Sequence, residues 1–135
     1  MTKILVVDDE EPVRELMREI LEDEGCEVSV AKEGFEALAL FEKSDFDAVF
    51  TDVGMPGMSG WELARAIREQ GSSVPMAVIT GWGEVVGTNE NIEATRVDWV
   101  LTKPFSMAQI SEITREVSKR RIEKLKDTAR AMLIA

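Results

Sequence analysis

Histidine is absent from this sequence, and cysteine occurs once, as Cys26, among 135 residues. A zinc or copper site is therefore not expected, because those ions rely on histidine and cysteine ligands. One cysteine excludes a disulfide bond within the chain and is typical of a reducing compartment. No apolar run approaches the roughly 20 residues of a membrane-spanning helix, and the N-terminus lacks a signal-peptide pattern. We therefore expect a cytoplasmic protein.

Acidic residues outnumber basic residues by 26 to 16, which gives a formal net charge of −10. The charge is uneven, because residues 115–135 contain seven basic and three acidic residues, so they carry +4 and the preceding residues carry −14. A body this acidic repels nucleic acid, and we expect no direct nucleic-acid binding. The length and the 44% share of hydrophobic residues fit one globular domain.

Short apolar segments alternate with helical periodicities along the chain. Strands are predicted at residues 3–7, 27–31, 46–51, 76–80 and 97–101. Such strand–helix units in sequence predict a five-stranded parallel sheet with helices on both faces, an α/β fold. In the flavodoxin-like order 2-1-3-4-5, strands 1, 3, 4 and 5 are contiguous.

The helices are predicted from apolar spacing and from capping residues. The first has Pro12 in its first turn and ends near Gly25, with its inner face formed by Val13, Leu16, Met17, Ile20 and Leu21. The second covers residues 34–43, with Phe35, Leu38 and Phe41 facing inward. Ser59 and Glu62 form a capping box for a helix to about Gln70, and a short helix is predicted near residues 90–96. A last helix begins at a capping box of Ser106 and Gln109 and runs almost to the C-terminus.

Polar residues follow the strands that are contiguous in this order. At the carboxyl ends of the strands they are Asp8 and Asp9 for strand 1, Thr51 and Asp52 for strand 3, Thr80 for strand 4, and Thr102 and Lys103 for strand 5. Ligands of open α/β sheets bind at this edge. Carboxylates that converge here repel one another unless a cation joins them, and oxygen-only ligands favour Mg²⁺ or Mn²⁺. With the ammonium of Lys103 and the hydroxyl of Thr80, the set could stabilise a phosphoryl group in transfer, and a carboxylate can serve as the nucleophile.

Four segments together resemble the receiver domain of two-component response regulators, and the similarity covers roughly residues 2–122. The segments are VVDDEEPVREL, FDAVFTDVGMPGMSGWEL, PMAVITGWG and VDWVLTKPF. The resemblance implies a chemotaxis-regulator-like signalling switch that accepts a phosphoryl group from a histidine kinase or a phosphotransfer protein.

The resemblance also implies roles for single residues. Asp52 matches the phosphoacceptor, and Asp8, Asp9, Asp52 and the backbone carbonyl of Gly54 match the metal ligands. Thr80 matches the switch hydroxyl, and Lys103 matches the cation that pairs with the phosphate. The Lys103–Pro104 bond matches a cis peptide bond. Gly81 and Trp82 border the site, and the bulky indole of Trp82 is expected to shield the acyl phosphate from water.

The sequence departs from the family pattern near the fifth strand. The position of the family's switch aromatic is occupied by Val100, whereas Trp99 is its neighbour on the opposite side of the strand. The segment from Thr80 to Lys103 is one residue longer than usual, and the small glycine before strand 5 is replaced around Arg96. These changes leave the phosphorylation chemistry intact and put the output mechanism in question.

Three other functions are alternatives to the switch. A Mg²⁺-dependent phosphatase with an aspartyl nucleophile generally needs a second acid just after the nucleophile, where this chain has Val53 and Gly54. A flavin-binding domain would need a phosphate-binding loop in place of the acidic residues after strand 1. A degenerate receiver that acts as a protein-interaction scaffold would lack part of the acidic set. The resemblance implies that the chain catalyses only its own phosphorylation and slow dephosphorylation, so it is not expected to be an enzyme in the usual sense.

The C-terminal residues form a separate feature. We divide the chain into a receiver at residues 1–122 and an extension of the last helix at residues 123–135. Ile122, Leu125, Ala129 and Met132 form a second apolar stripe, which the spacing turns away from the core. The spacing suits a homodimer through this helix. The alternatives are a segment that folds back, frays or leads into a further domain, and a basic segment that binds nucleic acid.

Overall fold

The computed structural model describes residues 1–81 and 89–134, which build one parallel sheet between two layers of helices. The strands are β1 Lys3–Val7, β2 Glu27–Ala31, β3 Ala48–Asp52, β4 Met76–Thr80 and β5 Trp99–Thr102. The helices are α1 Glu11–Asp23, α2 Gly34–Lys43, α3 Gly60–Glu69, α4 Asn89–Thr95 and α5 Met107–Ile134. The strand order is β2-β1-β3-β4-β5 and all neighbours are parallel, which confirms the predicted fold.

The alternation of strand side chains divides the core into two layers. On one face, Ile4, Val6 and Phe50 pack with the buried sides of α1 and α5. On the other face, Leu5, Val7 and Val49 pack with α2 and α3. Because β1, β3 and β4 are covered on both faces, their segments are continuous apolar runs.

Two side chains that were predicted to face inward are exposed, and these predictions are wrong. Phe35 is 63% exposed and Leu16 is 50% exposed. The position of the neighbouring Gly34 accounts for the exposure of Phe35. A Cβ atom on Gly34 would lie 2.6 Å from the Sδ atom of Met58, so the start of α2 approaches the β3–α3 loop through its glycine. Phe35, the next residue, is left in solvent.

Helix α5 is the longest element, with 28 residues, and its two ends have different surroundings. Ile110, Ile113, Thr114 and Val117 are buried against the sheet, whereas every residue from 122 to 134 is exposed. Among the helices of the described ranges, none is both long and apolar enough to cross a membrane.

Candidate functional site

Three carboxylates converge at the carboxyl edge of the sheet. Asp8 directly follows β1 and Asp52 is the last residue of β3, so the pairing of these adjacent strands brings the two side chains together. One oxygen from each of Asp8, Asp9 and Asp52 lies within 4.8 Å of the others. Asp8 and Asp52 are buried, at 3% and 5% exposure, whereas Asp9 is exposed. The sequence-predicted acidic cluster is therefore assembled from two strand ends.

Backbone contacts fix the position of Asp8. Its amide donates to the Ala31 carbonyl at 3.1 Å, and one of its carboxylate oxygens accepts from the Glu10 amide at 2.9 Å. Its own carbonyl accepts from the Arg14 guanidinium at 2.8 Å. Burial raises the pKa of the Asp8 carboxyl, and this effect exceeds the opposing effects of the Glu10 amide and Lys103. The charged form of Asp8 is thus held in surroundings that disfavour it.

Lys103 brings the positive charge to this cluster. Its ammonium nitrogen lies 3.4 Å from an oxygen of Asp52 and 3.7 Å from an oxygen of Asp8. Burial alone would lower the pKa of Lys103, but the Asp52 and Asp8 carboxylates outweigh burial and raise that pKa above its ordinary value. The peptide bond between Lys103 and Pro104 is cis. The side chain is 25% exposed, so it reaches the cluster from the rim.

Thr80 is the last residue of β4 and is fully buried. Its hydroxyl donates to the Leu101 carbonyl at 3.4 Å, which is long for an O–H donor. Its carbonyl accepts from the Lys103 amide at 2.8 Å. The residue therefore lies on the strand between Asp52 and Lys103, and its hydroxyl is held by a weak bond toward β5.

Gly60 is a site residue to which the sequence reasoning gave no role. A Cβ atom built on it would lie 2.2 Å from the carbonyl oxygen of Asp52, and its amide donates to the Val53 carbonyl at 2.9 Å. The first turn of α3 therefore rests directly on the backbone of Asp52. The signal in the sequence is the last glycine of GMPGMSG, eight residues after Asp52. Arg14 was also missed, because its contact is to a backbone atom.

The remaining predicted residues surround this cluster. Gly54 is exposed in the loop two residues after Asp52, and Gly81 is half-buried just after β4. Trp82 and its expected shielding role lie outside the described residues. Val100 pairs with Val78, and Trp99 packs with the core on the α1/α5 face. Neighbouring strand residues face opposite sides, so Trp99 does not occupy the face of Val100.

The donor set fits a hard divalent cation. Carboxylate oxygens are the ligands that Mg²⁺ prefers, and Asp8, Asp9 and Asp52 supply three of them within reach of one ion. Two of these carboxylates are buried, where unbalanced negative charge is costly. The ammonium of Lys103 offsets one negative charge of the three, so the cluster retains the charge that a cation would neutralise.

Comparison with known proteins gives one consistent result. A family model described as the response regulator receiver domain matches residues 4–115. The transcriptional regulatory protein ResD of Bacillus subtilis is 38% identical over 109 residues, which are 81% of this chain and 45% of that protein. The sensory transduction protein RegX3 of Mycolicibacterium smegmatis is 36% identical over 120 residues, which are 89% of this chain and 52% of that protein. The chain thus spans about half the length of the curated relatives it matches.

Solved structures show the same similarity. The response regulator TrrA of Thermotoga maritima, solved in complex with Mg²⁺-BeF, is 34% identical with a TM-score of 0.78, and the match covers 87% of this chain and 99% of that chain. The chemotaxis protein CheY4 of Vibrio cholerae is 32% identical with a TM-score of 0.79, and the match covers 87% and 98% of the two chains. The predicted resemblance is confirmed.

Proposed function

Because the chain belongs to the response regulator receiver domain family, we propose that it is a signalling switch whose phosphoacceptor is Asp52. Receiver domains of response regulators are signalling switches, and the acidic pocket typical of them is present here. The proposal assigns the phosphoryl donor to a histidine kinase or a phosphotransfer protein. It places the receiver at residues 1–122 and the extension of the last helix at residues 123–135.

One observation carries this proposal. The carboxylate of Asp52 lies in a cluster with Asp8 and Asp9, and the Lys103 ammonium lies 3.4 Å from it. Asp52 is the member of the cluster that lies on the central strand β3. A carboxylate in this position can attack phosphorus, while the neighbouring cation stabilises the charge on the transferring oxygens.

The transfer is a substitution at phosphorus. An oxygen of Asp52 forms the new P–O bond, and the P–N bond to the donor histidine breaks. The imidazole nitrogen keeps the electron pair of that bond and takes up a proton. In the separate dephosphorylation step, a water oxygen forms a bond to the same phosphorus and the bond to the Asp52 oxygen breaks. Inorganic phosphate leaves with the water oxygen, and the carboxylate is restored. Positioning and electrostatics supply most of the rate in such reactions.

Asp8, Asp9, Asp52 and the carbonyl of Gly54 would hold Mg²⁺, or Mn²⁺ in its place. When bound, the ion neutralises charge between the carboxylates and the incoming phosphoryl oxygens. The protein's own contribution is to hold the carboxylates together through β1 and β3 and to hold Lys103 against Asp52.

Thr80 is the proposed switch residue. Its hydroxyl is held by a bond of 3.4 Å to the Leu101 carbonyl, which costs little to exchange for a charge-assisted bond to a phosphoryl oxygen. A phosphoryl group on Asp52 would bias the chain toward the conformation with Thr80 turned inward. Val100 replaces the family's aromatic in this step, so the response at β5 differs from the family pattern.

A phosphorylation assay tests the proposal. A small acyl phosphate with Mg²⁺ should add one acid-stable, base-labile phosphoryl group, detected by mass spectrometry. Asp52→Asn should abolish the label, and Asp45→Asn should keep it, since Asp45 is exposed in the loop before β3. Labelling of Asp52→Asn as strong as that of the wild type would refute the assignment. Turnover of a small phosphate ester would instead favour the aspartyl phosphatase.

Two further expectations stay predictions. They are a cytoplasmic location and the absence of direct nucleic-acid binding by these 135 residues. Both rest on the composition and charge of these 135 residues. The relatives ResD and RegX3 are about twice as long as the matched region, so neither expectation extends to the parts of those proteins outside the match.

A further inference from the structure

The last 13 residues of α5 form a feature that the phosphorylation site does not use. We call residues 122–134 the stalk. Every stalk residue is exposed, and at 1.5 Å per residue the stalk extends about 20 Å. Five of the nine large apolar side chains exposed within the described residues lie in it, namely Ile122, Leu125, Met132, Leu133 and Ile134. An isolated helix of this length is marginal in water.

The apolar residues of the stalk follow a regular spacing. Ile122, Leu125, Ala129 and Met132 are separated by three, four and three residues, the spacing of a two-helix seam. They lie on one side of the helix, whereas Ala131 lies on the opposite side, as follows from 100° per residue. The stripe therefore has the form of a surface that packs against another helix.

Volume and charge favour a second copy in antiparallel orientation. In a parallel pair, Ala129 would face Ala129 and leave a void between the helices. In an antiparallel pair, Leu125 of each copy faces Ala129 of the other, so a large residue meets a small one in both central layers. Ile122 faces Met132 in the two outer layers. A parallel pair would also place two bodies, residues 1–121 with net charge −11, side by side, whereas an antiparallel pair places them at opposite ends.

A pocket at the base of the stalk extends this surface. It has a volume of about 310 Å³ and is lined by residues of α5 and by Glu24, at the end of α1. Its α5 lining includes Arg115, Ser118 and Ile122, which lie in line with the stripe at the same spacing, although Arg115 and Ser118 are polar. In the antiparallel pair, the exposed Leu133 of the second copy lies beside this pocket, because Met132 faces Ile122.

We propose that the stalk is a homodimer interface, in which two copies of this chain pack their stripes antiparallel and each stalk end covers the pocket of the other copy. Such an interface is isologous and closes after two copies. It is independent of the phosphorylation chemistry, because no stalk residue contacts the acidic cluster within the described residues.

Matched substitutions test the interface by sedimentation equilibrium over a concentration series, with and without a small acyl phosphate and Mg²⁺. The wild type should dimerise in at least one of these conditions. Ala129→Glu should raise the dissociation constant more than about tenfold, a loss of at least 1.4 kcal/mol, and Ala131→Glu should leave it unchanged. Both variants add the same charge to the same helix, and circular dichroism should show both folded. A wild type that is monomeric in both conditions, or equal effects of the two substitutions, overturns the proposal.

Cross-linking tests the orientation. Mixed Ile122→Cys and Met132→Cys chains should form the disulfide between unlike chains under oxidation, identified by mass spectrometry, since Cys26 is buried and does not compete. Disulfides between like chains alone would indicate a parallel pair and contradict the antiparallel arrangement. Phosphoryl labelling of Asp52 should be the same in Ala129→Glu and in the wild type, so failure of the dimer leaves the proposed function intact.

Discussion

At the scale of single residues, the position of Asp52 depends on Gly60, a neighbour without a side chain. The first turn of α3 lies so close to Asp52 that a Cβ atom on Gly60 would approach its carbonyl oxygen to 2.2 Å. The backbone must move to accept any larger residue. Since Asp52 is also the proposed phosphoacceptor, the movement would displace the carboxylate from Asp8, Asp9 and Lys103.

Gly60→Ala should therefore lower the free energy of unfolding by roughly 1–3 kcal/mol, the usual cost of overpacking, and slow the labelling of Asp52. Gly57→Ala is the control, because Gly57 lies in the loop just before α3 and has nothing within 4 Å of its Cβ position. Its φ of 81° makes alanine cost about 1–2 kcal/mol there, but labelling should stay normal. Equal labelling rates in the two variants, measured by mass spectrometry over time, would contradict the role of Gly60.

The residues of the acidic cluster were predictable from sequence because parallel strands end at one edge of the sheet. Asp8, Asp52 and Lys103 follow buried apolar runs, so strand order alone brings them together. Gly60 and Arg14 were not predictable in the same way. Their contacts are to backbone carbonyls, and such contacts depend on the path of a loop or the rotation of a helix.

At the scale of elements, a buried arginine of α3 connects the C-terminal end of α4 to the rest of the molecule. The guanidinium of Arg68 donates to the carbonyls of Thr95 and Arg96, at 2.7 and 3.2 Å, and to those of Ser72 and Val74, at 3.2 and 2.7 Å. It also lies 3.9 Å from a carboxylate oxygen of Asp98, which precedes β5. Its side chain is only 6% exposed, and three of the four hydrogen bonds are partly buried, whereas the bond to Arg96 is exposed.

Arg68→Met should lower the free energy of unfolding by about 3 kcal/mol, because three partly buried carbonyls lose their donor at once. Arg65→Met is the matched control one turn earlier on α3. Arg65 makes an exposed hydrogen bond to Asn91, and its loss should cost less than about 1 kcal/mol. Chemical denaturation of the two variants measures the difference. Similar losses in both would show that Arg68 does not anchor α4.

The prediction from sequence was least accurate at the starts of β3 and β5, each of which begins two residues later than predicted. β3 was predicted at 46–51 and is Ala48–Asp52, β5 was predicted at 97–101 and is Trp99–Thr102, and α4 was predicted near residues 90–96 and is Asn89–Thr95. Arg96 follows α4 in a left-handed conformation, with φ 50°, and the small glycine that the family usually has before strand 5 is replaced around this residue. An arginine gives no sequence signal for that conformation, so the boundary was displaced. The bounds of β1 and β4, whose apolar runs are covered on both faces, agree with the prediction.

At the scale of the whole molecule, charge is unevenly distributed and its largest concentration is at the site. Residues 1–114 carry −14, and three of their carboxylates meet within 4.8 Å. Strand order and charge imbalance were both predictable from sequence. The step between the stripe and the buried face of α5 predicted that the stripe turns away from the core. The partner that packs against the stripe was not predictable, because its spacing fits a second copy without excluding the alternatives.

The same concentration of charge predicts that a divalent cation stabilises the whole fold. The carboxylates of the cluster lie at the ends of β1 and β3, so the cluster does not persist in the unfolded chain. An ion that binds the cluster therefore favours the folded state. Mg²⁺ at about ten times its dissociation constant should raise the free energy of unfolding by about 1.4 kcal/mol. Asp9→Asn should reduce this gain, whereas Glu11→Gln should keep it, since Glu11 is an exposed residue of the first turn of α1 outside the cluster. Melting temperatures measured with a chelator and then with increasing Mg²⁺ give the comparison. A melting temperature that does not respond to Mg²⁺, or an equal response in wild type and Asp9→Asn, would show that the carboxylates do not hold the ion.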